Sequence, residues 1–253
     1  MTILKKHIQG ISSYRTEIMG YAILGVMLAH IKTIGNYPDT IMGKAIGFLC
    51  YSVFTGGFVF LSGLGLYSSL NKNSNIKDFF KKRAARLLIP YLLISLPYFV
   101  FTDVFIGEGF IPFLEHITTV SFWIHGNYSG MWYISLSVVL YLLYPLIHRF
   151  LYGEPKKVNV RFSECIIGTS MLLVVLSHFA PNYYGMTSIA FSKLPLFVMG
   201  SYTMFYVSND SAKIKLPPPP QLWLSIVSLI VAISICLLVD RDNVLGAGVN
   251  SCV

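Results

Sequence analysis

The sequence predicts an all-α protein, a polytopic integral membrane helix bundle with about seven transmembrane helices. Of its 253 residues, 55% are hydrophobic and only 12% are charged, whereas roughly a quarter of the residues in an ordinary soluble domain are charged. The apolar residues form runs long enough to cross about 30 Å of hydrocarbon. The cations are concentrated in every second connection between these runs, which is typical of membrane proteins.

The first apolar run follows Lys5, Lys6 and Arg15 and could be mistaken for a signal peptide. No small-residue cleavage pattern follows it, and further spans do, so we interpret it as a retained helix. The whole chain, residues 1–253, is predicted to be one transmembrane domain. The predicted spans are 18–34, 45–66, 87–106, 131–148, 164–180, 192–208 and 221–239.

The distribution of cations predicts that the N-terminus lies in the cytoplasm. In that orientation fifteen Lys and Arg residues lie in inner segments and four lie in outer ones, the bias expected of cytoplasmic loops. The net charge of +8 is then explained by topology, and no nucleic-acid partner is required. The sequence contains no C-x-x-C pair, paired-histidine metal spacing or Gly-rich phosphate loop, which disfavours a metal site and an ATP-driven pump.

His30 lies near the outer end of the first span, in the run MGYAILGVMLAHIK. One interpretation is a neutral interfacial or capping histidine, and the other is a proton acceptor that faces a cavity. Arg15 and Glu17 lie at the inner end of the same helix. Arg15 and His30 fall within about 60° of the same helical face, so one cavity could contact both; alternatively, Arg15 is only a topology signal with Glu17 as its solvated neighbour.

A basic block precedes the third span, in NSNIKDFFKKRAARLLIPYLL. Arg83 and Arg86 are three residues apart and share a face if this block is helical. Two guanidinium groups on one face, with Lys82 beside them, could bind a phosphate. Contact with anionic lipid headgroups, or a topology signal alone, explains the same pattern.

Aromatic residues start the fourth span at Trp132 and Tyr133, after an outer loop that carries Glu115 and His116. Trp and Tyr at this depth are typical of an interfacial belt. They could also form a surface on which sugar rings stack, and the sequence leaves both interpretations open.

Taken together, these segments resemble the membrane-bound acyltransferase family 3, whose bacterial members acylate sugars of cell-surface polysaccharides. The resemblance depends on the order and spacing of the blocks rather than on any one of them. The blocks are YRTEIMGYAILGVMLAH (14–30), FVFLSGLGLYSSL (58–70), FFKKRAARLLIPYLL (79–93), MWYISLSVVLYLLYPLI (131–147) and, more weakly, SKLPLFVMGSY (192–202).

The resemblance implies an O-acyltransferase of the bacterial inner membrane that uses acyl-CoA, such as acetyl-CoA, as donor and a surface glycan as acceptor. It implies that His30 is a general base, either on the acceptor hydroxyl or on a relay that carries the acyl group outward, with Arg15 and Glu17 near it. Arg83, Arg86 and Lys82 would hold the donor's phosphates. Trp132, Tyr133 and Lys193, the last at a position where relatives often have Arg, would complete the substrate site.

Two departures from the family keep other functions open. Many members have an arginine where this chain has Met19, and Arg15, one turn earlier, is the candidate to replace it. Relatives usually have more spans in a longer chain, so we expect helices to be missing at the C-terminus. The alternatives are a small-molecule or glycan transporter and an inactive, truncated acyltransferase remnant.

Overall fold

The computed structural model describes residues 10–11, 13–34, 53–73, 75–107, 109–126 and 131–209, with short helical pieces between 223 and 234; the side chains of 28–34 and of Pro155 are outside this description. Throughout this described part the regular elements are helical, as predicted. In chain order the helices are α1 (Arg15–Ile34), α2 (Thr55–Lys72), α3 (Ile76–Phe99), α4 (Phe110–Ile117), α5 (Ser121–His125), α6 (Trp132–Tyr152), α7 (Val158–Phe179), α8 (Pro181–Phe191) and α9 (Leu194–Ser208).

The chain divides into two compact units. Unit 1 comprises residues 1–69 and 193–215, and unit 2 comprises residues 70–192 and 216–253. In unit 1, α2 and α9 approach each other at two glycines. A Cβ on Gly63 would lie 2.2 Å from the carbonyl oxygen of Phe197, and one on Gly200 would lie 2.0 Å from that of Phe60. Because small residues let backbones come this close, the glycine-rich second span is a helix-packing surface.

In unit 2, Asn75 directly precedes α3 and caps it, because its side-chain oxygen accepts a hydrogen bond from the Lys77 amide at 3.0 Å. The helix contains Pro90 and Pro97, which lack the amide hydrogens of a regular helix, and it widens into a π-helix, Val100–Phe105. The chain then reverses at Gly107 and Gly109, which have φ of +135° and +99°, a region that glycine adopts without strain. Helix α4 therefore folds back along the end of α3.

Three of the described helical segments are long and apolar enough to cross a membrane: Ile76–Phe105, Trp132–Tyr152 and Val158–Phe179. They contain most of the predicted spans 87–106, 131–148 and 164–180. Predicted spans 18–34 and 192–208 correspond to α1 and α9. Residues 45–52 and most of 221–239 lie outside the described residues. The count of seven spans and the cytoplasmic N-terminus stay predictions.

The structure differs from the predicted organisation in its connections. The basic block, whose structure the sequence left open, forms the first turns of α3. Lysine and arginine are good helix formers, so the helix continues beyond the apolar segment that a hydropathy window detects. Segments expected to be outer loops also contain α4, α5 and α8, which are too short to be recognised as spans.

Candidate functional site

Arg15 is the first residue of α1, and its guanidinium group lies against Gly65 of α2. A Cβ on Gly65 would come within 2.2 Å of Arg15 Nη1, so the absence of a side chain at residue 65 makes room for the cation. Glu17 is exposed in the first turn of α1, where the free amide groups of the helix end stabilise a carboxylate. Unit 1 thus gives Arg15, but not Glu17, a defined packing position.

The other two candidates in unit 1 are less fully described. His30 belongs to α1, but its side chain lies outside the described residues, so its role as a base stays a prediction. Lys193 directly precedes α9 and is half-buried. Its carbonyl oxygen accepts a hydrogen bond from the Phe197 amide at 3.1 Å, which helps to start α9.

Arg83 is buried in unit 2, with 6% of its surface exposed. Its guanidinium carbon lies 5.6 Å from the ring centroid of Phe79 and 5.8 Å from that of Tyr141. The ring of Phe79 in turn stacks on that of Tyr144 in α6, with ring centroids 6.3 Å apart. A flat, weakly hydrated guanidinium group is suited to such contacts, so Arg83 belongs to the α3–α6 packing surface.

Arg86 and Lys82 have a different environment from Arg83, because both side chains are exposed. The helical spacing expected for Arg83 and Arg86 is present, yet only one of the two arginines faces the protein interior. Trp132 and Tyr133 begin α6, are half-buried, and have ring centroids 5.8 Å apart in an edge-to-face arrangement. In unit 2, then, Arg83 contacts α6 directly, whereas Arg86 and Lys82 remain accessible to solvent or a ligand.

The structure also brings together two residues that the sequence analysis did not pair. Asp103 lies in the π-helix and is 3% exposed, and its Oδ2 is 2.8 Å from Nδ1 of His116 in α4. The second carboxylate oxygen, Oδ1, accepts a hydrogen bond from the Thr102 hydroxyl at 2.8 Å. The His116 ring stacks on Phe99, with centroids 4.9 Å apart.

A sequence signal for this pair existed, since Asp103 is a carboxylate inside the predicted span 87–106. Ionisable residues within a span usually have a function or a specific partner. The partner could not have been identified from spacing, because the π-helix and the glycine reversal decide where His116 lies. A second carboxylate–imidazole pair, Glu115 Oε2 to His125 Nε2 at 3.0 Å, is more exposed.

A further charged cluster follows α6. The Glu154 carboxylate pairs with Lys157 at 2.8 Å and with Arg161. The hydrogen bond from Lys157 is the main cause that lowers the pKa of Glu154, and the positive charges of Arg161 and Lys157 lower it further. A depression of about 410 Å³ adjoins the cluster, lined by Leu146, Arg149, Phe150, Gly153, Glu154 and Arg161.

Within the described ranges, no three His, Cys, Asp or Glu side chains converge in a way that could bind a metal ion.

Comparison with known proteins gives one family and one curated relative. A family model described as an acyltransferase domain, of the acyltransferase 3 type, matches residues 20–247. A protein of Acidianus two-tailed virus, whose name proposes acetyltransferase activity, is 27% identical over 183 residues, which is 66% of this chain and 51% of the viral protein. The chain thus spans about half the length of that relative. No solved structure matches the chain.

Proposed function

We propose that this chain, which belongs to the acyltransferase 3 family, transfers an acetyl or other short acyl group from acyl-CoA to a hydroxyl of a cell-surface polysaccharide. The family match over residues 20–247 is the observation on which the proposal depends. The acetyltransferase name of the viral relative supports an acetyl group in particular. Acyl-CoA, the glycan and the surrounding lipids are the proposed partners.

We place the protein in the bacterial inner membrane as a multi-pass protein with its N-terminus in the cytoplasm. The three long apolar helical segments and the excess of cations in the inner segments support this location and orientation. With this orientation the start of α3, which carries the basic block, is on the cytoplasmic side, where acyl-CoA is available.

The burial of the basic residues supports different roles for them. Arg83 is buried against the rings of Phe79 and Tyr141, so it would orient α3 against α6 in addition to its proposed contact with the donor's phosphates. Arg86 and Lys82 are exposed, so their charges are available to the phosphate groups of acyl-CoA. Trp132 and Tyr133 would contact the acceptor sugar, and Lys193 would contact a substrate from unit 1.

In unit 1, His30 is the proposed base. A histidine titrates near neutral pH and can accept a proton from a hydroxyl. Arg15, held against Gly65, would supply the positive charge that relatives place at Met19, and Glu17 would be its acidic neighbour in the first turn of α1.

The test is an acyl-transfer assay on the purified full chain in lipid nanodiscs. Labelled acetyl-CoA is the donor and purified surface polysaccharide is the acceptor, and mass spectrometry detects the acetyl ester. We expect transfer by the unmodified chain and a loss of about 100-fold or more in His30→Ala. Absence of transfer and of acetyl-CoA binding by the unmodified chain would favour the inactive remnant. Full transfer by His30→Ala would refute its assigned role.

The donor site is tested separately by comparing two exposed cations of α3. Arg86→Ala should raise the KM for acetyl-CoA about tenfold, because loss of a charge-assisted phosphate contact costs about 1.5 kcal/mol. Lys81→Ala is the matched control, since Lys81 is also exposed but was not assigned to the phosphates. Equal effects of the two substitutions would indicate general attraction of anions rather than a site at Arg86.

A further inference from the structure

His116 and Asp103 form a largely buried imidazole–carboxylate pair in unit 2. We propose that His116 is the general base that removes the proton from the acceptor hydroxyl in the final transfer, that Asp103 positions it, and that His30 acts on the relay that carries the acyl group outward. This inference rests on the proposed acyl-transfer function. It adds a catalytic residue that no part of the family resemblance or of the proposed donor site includes.

The hydrogen-bond geometry determines which ring nitrogen can act as a base. In the proposed mechanism Asp103 is ionised; a carboxylate only accepts hydrogen bonds, so Nδ1 of His116 then carries the hydrogen in the 2.8 Å contact to Asp103. In the neutral ring, Nε2 then holds the lone pair. A histidine oriented in this way by a carboxylate is the arrangement that activates hydroxyl nucleophiles in many acyl-transfer enzymes.

The pair is held rigidly on several sides. The Tyr91 hydroxyl donates to the backbone carbonyl of His116 at 2.8 Å, and the Gly109 amide donates to the backbone carbonyl of Asp103 at 2.7 Å. Phe99 covers one face of the imidazole. Only 5% of the Asp103 side chain is exposed, compared with 15% for His116. The carboxylate is therefore shielded, while part of the ring can be reached by a substrate.

The surroundings of His116 contain few other ionisable groups. Beyond Arg86, the described titratable residues of α3 and the π-helix are Tyr91, Tyr98 and Asp103, and α5 carries His125; Glu115 precedes His116 in α4 itself. The other charged residues of α3 lie toward its start and are Lys77, Asp78, Lys81, Lys82, Arg83 and Arg86. Glu115 pairs with His125, so Asp103 is the carboxylate bonded to the His116 ring. The stacked rings of Phe110 and Phe113, 5.8 Å apart, provide an apolar surface on the same helix for the face of a sugar.

The proposed step transfers the acyl group from a thioester to the acceptor hydroxyl. The acceptor oxygen forms a bond to the carbonyl carbon of an acyl thioester as Nε2 of His116 takes the hydroxyl proton. The bond between that carbon and the thioester sulfur breaks, and the sulfur leaves with the electron pair. The imidazolium then gives its proton to the thiolate, which leaves an ester, a free thiol and neutral His116. Asp103 stabilises the imidazolium while it exists.

The experiment compares four variants of the full chain in nanodiscs, again with acetyl-CoA and purified surface polysaccharide. His116→Gln should lower kcat about 100-fold and leave the KM for acetyl-CoA unchanged. Asp103→Asn should lower kcat less than His116→Gln, since the imidazolium formed during the step loses the neighbouring negative charge. His125→Gln and Glu115→Gln, the exposed pair, should match the unmodified chain.

Two further measurements separate catalysis from folding. The melting temperature shows whether each variant is folded, and added imidazole should restore part of the rate in His116→Ala, which a purely structural role would not allow. Transfer at the normal rate by a folded His116→Gln would overturn this inference and leave the proposed function intact. Absence of transfer by the unmodified chain would overturn the proposed function, and the inference with it.

Discussion

Helices α2 and α3 follow each other in the chain and are both apolar, yet they are buried to very different extents. From Thr55 to Leu70, every residue of α2 is buried or half-buried. In α3 the buried residues form one stripe at intervals of four or eight, while most of the remaining surface is exposed. The stripe consists of Phe79, Arg83, Tyr91, Ser95 and Phe99.

The difference corresponds to the size of the residues in the two helices. Helix α2 is rich in Gly and Ser, which allow other backbones to approach closely. Helix α3 carries Leu and Ile on its exposed sides, including Leu93 and Ile94, which are 72% and 73% exposed. Because a bilayer solvates such side chains as well as a protein core does, the apolar part of α3 that follows Arg86 is suited to face lipid on all but one stripe, and α2 to face protein.

The sharpest test of this comparison is the same substitution in both helices. Leu64 of α2 is 1% exposed and Leu93 of α3 is 72% exposed. Leu64→Ala should lower the free energy of unfolding by about 2–5 kcal/mol, because it leaves a cavity in packed surroundings. Leu93→Ala should change it by less than about 0.5 kcal/mol. Equal losses in detergent micelles would show that α3 is also surrounded by protein.

A smaller effect is expected where α2 meets α9. Gly200→Ala places a Cβ 2.0 Å from the Phe60 carbonyl oxygen. Since backbone atoms cannot turn aside, the helices must separate, and we expect a loss of about 1–3 kcal/mol. Gly57→Ala is the matched control, as nothing lies within 4 Å of a Cβ there. A Gly200→Ala variant as stable as Gly57→Ala, measured by thermal unfolding, would contradict this packing.

Gly65→Ala should have a still smaller effect on stability but a measurable one on function. The added Cβ meets the end of the flexible Arg15 side chain, which can move, so we expect a change within about 1 kcal/mol. Acetyl transfer should fall because the guanidinium is displaced. In an Arg15→Ala background the same substitution should have no further effect on transfer. Unchanged transfer in the single variant would place Arg15 outside the site.

The helices and the apolar spans were predictable from the sequence because each is specified locally, by composition and by runs of apolar residues. Whether the basic block is helical was left open by the sequence, and the structure makes it the first turns of α3. The burial of Arg83 and the exposure of Arg86 were not predictable, since they depend on which stripe of α3 packs against α6. The contact between Asp103 and His116 requires the π-helix and two glycines with positive φ, none of which a periodicity reveals.

The smallest expected effect concerns the exposed ion pairs after α6, where neither lipid nor core packing contributes. Folding lowers the pKa of Glu154, first through its hydrogen bond from Lys157. A carboxyl group whose pKa is lowered by folding stabilises the folded state at pH values above its ordinary pKa of 4.5. This contribution disappears as the pH falls through the lowered pKa. The difference in melting temperature between the unmodified chain and Glu154→Gln should therefore be small at pH 7 and vanish in acid. Added salt should reduce this difference in melting temperature, because the pair is exposed.

Lys157→Gln should reproduce the difference and Lys156→Gln should not, since Lys156 forms no ion pair among the described residues. A difference that grows as the pH falls would have the wrong sign for this pair.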